Sequence, residues 1–160
     1  MNETATQTDL IIQRFDILSP TAQDLIGALN TELASRYPEP GANHFRLDPA
    51  EVAAGQGAFL VASHAGIPIG CGAIRRIEAQ TGEIKRMYVN PAERNRRVGR
   101  ALLAALEDVA KTLGMTRLVL ETGIRQPEAI ALYERIGFVQ IPLFGEYIGT
   151  PSSVCMAKDL

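Results

Sequence analysis

The chain has 160 residues, 46% of them hydrophobic and 21% charged, with a formal net charge of −2. That length suits one domain with a sizeable core, and the composition is that of an ordinary globular protein. The charge balance gives no basis for general affinity to nucleic acid or membrane, and no apolar run approaches the roughly 20 residues that span a bilayer.

Met1 to Thr8 reads as a flexible tail, leaving residues 9–160 as a single domain. The opening "MNETATQTDL" has no apolar segment of the kind a secretory signal needs, so the expected location is cytoplasmic. Leu10–Ile17, rich in β-branched residues, predicts a strand. Ser19-Pro20-Thr21 opens a helix on which Leu25, Leu29 and Leu33 recur every fourth residue, and "YPEPG" (Tyr37–Gly41) stops it. A short helix is expected from Asp48 to about Ala54. "AFLVASHAGIPIGCGAIRRIEA" predicts two strands around a turn at Gly66, and Glu83–Val89 a third, with antiparallel pairing. Cys71 and Cys155 have neither metal nor redox spacing and read as reduced core thiols.

The stretch "RNRRVGRALLAALEDVA" follows. Val98, Leu102, Ala105, Leu106, Val109 and Leu113 keep a helical rhythm, and Gly114 suits the residue after the helix end. "RLVLE" (Arg117–Glu121) predicts a buried strand. Pro127 opens a helix that runs to Ile136 and closes at Gly137; "FVQI" and "SVCMAK" complete the sheet. The order is β-α-α-β-β-β-α-β-α-β-β, a mixed α/β domain with helices covering a central sheet.

Arg94, Arg96, Arg97 and Arg100 crowd around Gly99, where a helix N-terminus already carries partial positive charge. Two readings are open. If the helix starts near Val98, the amides of Val98, Gly99, Arg100 and Ala101 point into the preceding turn and can cradle a phosphate, with the arginines adding charge. If "NPAE" (Asn90–Glu93) is a capping box with Pro91 at the first position, the helix starts there and the arginines form a solvated face.

"RNRRVGRALL" resembles the acyl-CoA-binding motif of the GNAT superfamily of N-acetyltransferases, Gln/Arg-x-x-Gly-x-Gly/Ala. Arg94 matches the first position and Gly99 the last, while Arg97 replaces the middle glycine. "QPEAIALYERIGF" resembles the family's second helix motif: Ala129, Leu132, Tyr133, Gly137 and Phe138 match, and Gln126 stands for the usual asparagine. The resemblance implies a GNAT-like, mostly antiparallel twisted sheet and acetyl-CoA as cosubstrate, with no metal. The partner it implies is the primary amine of a small molecule or peptide, attacking directly, and it admits a homodimer. It places pantetheine along Met87, Tyr88 and Val89. Pyrophosphate would lie over Arg96 to Ala101 with Arg94, Arg96, Arg97 and Arg100 nearby, and Gln126 would face the cofactor. A non-catalytic acyl-CoA-binding module is the alternative, and a protein-interaction domain without cofactor a third.

Amine acetylation needs a neutral amine, a donor for the developing oxyanion and a proton for the leaving thiolate. The resemblance makes Tyr133 the acid; its plain reading is a core aromatic. Glu83 is the expected base, against a surface glutamate after Thr81-Gly82, and Glu121 is the second choice. A backbone N–H near Met87 or Tyr88 is the expected oxyanion donor. His44 and His64 lack metal spacing. The loops "RYPEPGANHF" and "PLFGEYIGTPSS", with Tyr37, Glu39, Phe45, Glu146 and Tyr147, are expected around a cationic acceptor, and His44 falls on the same side.

Overall fold

The computed structural model describes residues 10–39, 47–94 and 97–160. The N-terminal tail, His44, Phe45 and Arg96 lie outside the described residues. Strands β1 (Leu10–Arg14), β2 (Gly57–His64), β3 (Ile67–Glu78), β4 (Thr81–Val89), β5 (Arg117–Gly123), β6 (Val139–Ile141) and β7 (Ser153–Asp159) alternate with helices α1 (Pro20–Arg36), α2 (Val98–Thr112) and α3 (Pro127–Ile136). The strands form one sheet in the order β1-β2-β3-β4-β5-β7-β6. Every neighbouring pair is antiparallel except β4 and β5, which run parallel.

Local signals explain the helix ends. Ser19 Oγ accepts the Ala22 amide at 3.2 Å, with Pro20 at the first turn. Gly137, at φ 109°, closes α3 in the left-handed conformation that glycine adopts freely. The helix expected at Asp48–Ala54 is a single 3₁₀ turn, Pro49–Val52. Ala53 already has extended backbone and Gly55 takes φ 84°, so the chain turns into β2 before a second turn can form. The "NPAE" signal is also a 3₁₀ turn: Asn90 Oδ1 accepts the Ala92 amide at 3.0 Å, the turn ends at Glu93, and α2 starts separately at Val98. The capping signal and the later helix start are both present, in sequence.

Two cores sandwich the sheet. Leu102 and Leu106 of α2 pack with Leu118, Leu120, Met156, Tyr133 and Phe138 on one face. On the other, Leu25 of α1 packs with Ile17, Phe59, Val61, Cys71 and Ala73. Burial of these side chains, each worth about 1.5–3 kcal/mol for the larger ones, holds the helices to the sheet. Both cysteines are buried thiols.

The centre of the sheet is interrupted. β4 pairs with β5 only from Thr81–Ile84 to Arg117–Leu120. Past Ile84, β4 stays with β3 and β5 stays with β7, and the two central strands part. The register of β3 on β4 shifts between Cys71 and Ala73, so Gly72 alone faces both Arg86 and Met87, and Arg86 takes φ 57°. A bulge of this kind bends a strand and increases its twist. It lies just where β4 leaves β5. None of the described helices is long and apolar enough to cross a membrane.

Candidate active site

Two cavities open along the parted strands. The larger, about 480 Å³, lies between the end of β4, the start of α2 and one side of α3. Its walls include Met87, Tyr88, Val89, Arg94, Arg97, Val98, Gly99 and Arg100, with Gln126, Leu132, Tyr133 and Arg135 opposite. The smaller, about 100 Å³, lies on the α1 side and is walled by Tyr37, Lys85, Arg86, Glu121, Tyr147 and Ser152. Met87, Gln126 and Tyr133 belong to both, forming a neck between them.

At the outer cavity the start of α2 presents amide donors. Among the described residues, the amides of Val98, Gly99 and Arg100 donate to no backbone acceptor, whereas Ala101 donates to Arg97 O at 3.0 Å. Among the described residues, Ala101 makes the first bond of the helix start. A Cβ on Gly99 would stand 3.0 Å from Leu132 Cδ2 and project into the cavity.

The four arginines are not equivalent. Arg94 donates through Nε to Val89 O at 2.9 Å and through an Nη to Glu32 at 2.6 Å. Its guanidinium ties β4 to α1, and its side chain borders the cavity. Arg97 and Arg100 are exposed at the rim. Arg96 lies outside the described residues. Arg135, in the last turn of α3, adds a cation to the opposite wall that no motif had marked.

Arg97 is the N-cap of α2 and sits at φ 63°, ψ 16°. That left-handed geometry costs a residue with a Cβ roughly 1–2 kcal/mol, and glycine nothing comparable. The motif's middle glycine thus has a conformational reason that this chain overrides. Arg97→Gly is expected to raise Tm by about 2 °C, the strain relief being partly offset by glycine's extra unfolded-state entropy; a thermal melt checks it.

The inner cavity brings Glu121 and Tyr133 together. Glu121 accepts from Ser153 Oγ at 2.7 Å. Burial, reinforced by the Glu83 charge, pushes its carboxyl up to about 7. Tyr133 is 6% exposed and stacks edge-on against Phe138, with ring centroids 5.8 Å apart. Burial, then Glu121, pushes its phenol well above the usual range, so its proton is held firmly. Tyr37 reaches over from the end of α1: its Oη accepts the Arg125 amide at 3.0 Å and stands 3.5 Å from Gln126 Oε1.

Glu83 is placed elsewhere. It is 1% exposed and lines neither cavity. Arg75 grips its Oε1 through Nε at 2.9 Å and an Nη at 2.8 Å, and Tyr147 donates to its Oε2 at 2.5 Å. Arg75 also binds Glu51 at 2.6 Å. Both carboxylate oxygens of Glu83 are engaged, and its geometry is that of a brace between β3, β4 and the loop before β7. Among the described residues no cluster of His, Cys, Asp and Glu could hold a metal.

Residues 23–138 match the model of the acetyltransferase (GNAT) family. The chain is 40% identical over 153 residues to an IAA acetyltransferase of Azospirillum brasilense, covering 95% of this chain and 99% of the relative. A crystal structure from Klebsiella pneumoniae, named as an acyl-CoA N-acyltransferase, is 35% identical, covers 94% of this chain and 97% of its own, and superposes with a TM-score of 0.80. A GNAT acetyltransferase from Elizabethkingia anophelis with acetyl-CoA bound shares the fold at 20% identity and a TM-score of 0.69, over 95% and 99% of the two chains. This chain belongs to the acetyltransferase (GNAT) family.

Proposed function

We propose that the protein transfers an acetyl group from acetyl-CoA to the amine of a small acceptor by direct attack. The observation that carries this reading is the neck at Met87, Gln126 and Tyr133, which joins a large cleft with anion-binding features to a small cavity holding Glu121. When bound, acetyl-CoA supplies an acyl carbon activated as a thioester.

The chain's own residues fit that group. The amides of Val98, Gly99 and Arg100 would hold the pyrophosphate, with Arg97 and Arg100 above it. The edge of Met87, Tyr88 and Val89 that faces away from β3 has lost its partner strand and would pair with pantetheine. Gln126 would orient the arm at the neck. An N–H near Met87 or Tyr88 would face the developing oxyanion.

Glu121 is the proton acceptor in this scheme. With its carboxyl near 7 it is ionised in a useful fraction at neutral pH, yet basic enough to take a proton as the nitrogen attacks. Tyr133 Oη would donate a hydrogen bond toward the leaving sulfur and would give up its proton only as charge develops there, regaining one from water.

Mass spectrometry of the protein with acetyl-CoA and a broad amine panel tests the reading; absence of any acetylated product refutes it. Tyr133→Phe is expected to lower kcat by about 10- to 100-fold while the Kd for CoA stays within twofold by calorimetry. An unchanged kcat would remove Tyr133 from the chemistry.

A further inference from the structure

Beside the inner cavity, the end of α1 is fastened to the turn that joins β5 to α3. Arg36 Nη1 donates to Arg125 O at 3.1 Å, and Arg125 Nη1 returns the bond to Arg36 O at 2.8 Å. Glu39 pairs with both Nη atoms of Arg125, at 2.7 and 3.0 Å, and Arg36 pairs with Glu128. The side chains of Arg125 and Glu39 are 43% and 52% exposed, and ion pairs at such sites contribute little. Tyr37, from the same helix end, is 5% exposed and makes its contacts inside the rim.

Gly123 makes room for the Tyr37 hydroxyl. It lies two residues past Glu121, on the same face of β5. A Cβ there would stand 1.7 Å from Tyr37 Oη and 3.1 Å from Gln126 Oε1, so any other residue would displace the phenol. Tyr37 Oη accepts the Arg125 amide at 3.0 Å. Its single proton then calls for an acceptor, because a buried hydroxyl left unsatisfied is costly. Gln126 Oε1 takes that proton at 3.5 Å. The bond is long, and the shared packing over Gly123 supports it. Only the oxygen end of a glutamine amide can accept, so the phenol decides which way round the amide sits.

Gln126 lines both cavities and makes no capping bond to α3. It stands where the motif carries asparagine. The extra methylene adds a rotatable bond, and holding the amide in one orientation then costs more entropy. We propose, resting on the acetyl-transfer reading above, that Tyr37 is a positioning residue for the cofactor: through Gln126 Oε1 it fixes the amide so that Nε2 faces the neck and donates to the pantetheine arm. Gly123 is the seat that this contact requires.

Calorimetry with CoA tests this on the full-length wild type, Tyr37→Phe, Gln126→Ala and the double variant. Tyr37→Phe keeps the ring and removes only the hydroxyl. Each single substitution is expected to weaken CoA binding by roughly 3- to 10-fold. The double variant should bind within about twofold of Gln126→Ala, because the phenol then has nothing to orient. A merely structural role for Tyr37 would instead add its loss in both backgrounds. A second readout is positional. The Gln126 side-chain signals in an amide NMR spectrum, assigned by their loss in Gln126→Ala, should be dispersed in the wild type and fall to random-coil positions in Tyr37→Phe. If Tyr37→Phe does not fold, the wild-type spectrum decides: dispersed signals that move on adding CoA support the proposal, and signals already at random-coil positions overturn it. Unchanged CoA affinity in Tyr37→Phe beside a weakened Gln126→Ala, or additive losses in the double variant, would overturn it and leave the transfer reading standing. Unchanged affinity in Gln126→Ala would overturn it too. Non-additive losses with no acetylated product from the amine panel would sink the transfer reading and leave the role of Tyr37 in cofactor binding standing; a wild type that binds no CoA would end both.

Discussion

Glu121→Gln should lower kcat by about 100- to 1000-fold at pH 8 and, at the same pH, raise the melting temperature. The two effects have one cause. Burial holds the folded carboxyl near 7, against 4.5 ordinarily. Between those values the folded protein binds more proton than the unfolded chain, so this group's contribution to stability is full below 4.5 and is lost as pH rises through about 7. At pH 8 the ionised, buried carboxylate costs on the order of 3 kcal/mol. Glutamine keeps an acceptor for Ser153 Oγ, avoids that cost and cannot take a proton. The variant should melt several degrees higher than the wild type at pH 8, with the difference closing toward pH 5. In kinetics, the wild-type kcat/KM should rise through a limb near pH 7 that the variant lacks, while the limb belonging to the acceptor's own amine persists in both. Equal kcat in the two proteins would dismiss Glu121 as the base.

Gly99→Glu should abolish measurable CoA binding and spare the fold. Among the described residues, three amides in the first turn of α2 have no backbone acceptor, and a side chain at position 99 would start beside Leu132 and Val89 of the same cleft. Losing even two or three hydrogen bonds to a charged group, each worth about 1.5–3 kcal/mol, weakens binding by roughly 100-fold or more, and the added negative charge opposes phosphate further. The helix itself gains: a carboxylate in the first turn complements the helix dipole, and the nearest obstacle, Leu132 Cδ2 at 3.0 Å, is the movable end of a side chain. Calorimetry with CoA beside a thermal melt checks both halves. Unchanged affinity would mean that the cradle lies elsewhere, and a collapsed melt would mean that Gly99 is needed for packing.

Much of this architecture is legible in the sequence because it is local. Ser19-Pro20, the apolar rhythm from Val98 to Leu113, and Pro127 with Gly137 are helix ends and faces written within a few neighbouring residues. What is not legible depends on pairing across distance. Arg94 stands in the motif's first position, but its partner Glu32, 62 residues earlier, has no signal near it in the chain. Glu83 and Glu121 are both strand glutamates on the same face. They differ because Arg75 stands opposite Glu83 in the β3–β4 register, a partner that no spacing along the chain reveals. The bulge at Arg86 is a mismatch between two strands and has no signature in either one, which is why the cations of the inner cavity escaped notice. Arg97 lies between these cases: its departure from the motif is plain in the sequence, but the cost of that departure is visible only in its φ.

The short seam between β4 and β5 carries a mechanical consequence. With only four residue pairs across it, the sheet amounts to two plates, β1 to β4 and β5 to β7, fastened at one end like the leaves of a book. Whatever enters the open end spans both leaves and acts as a splint. Occupancy of the cleft and stiffness of the sheet are therefore the same variable, and the protein without its ligand should flex about that seam rather than along any loop.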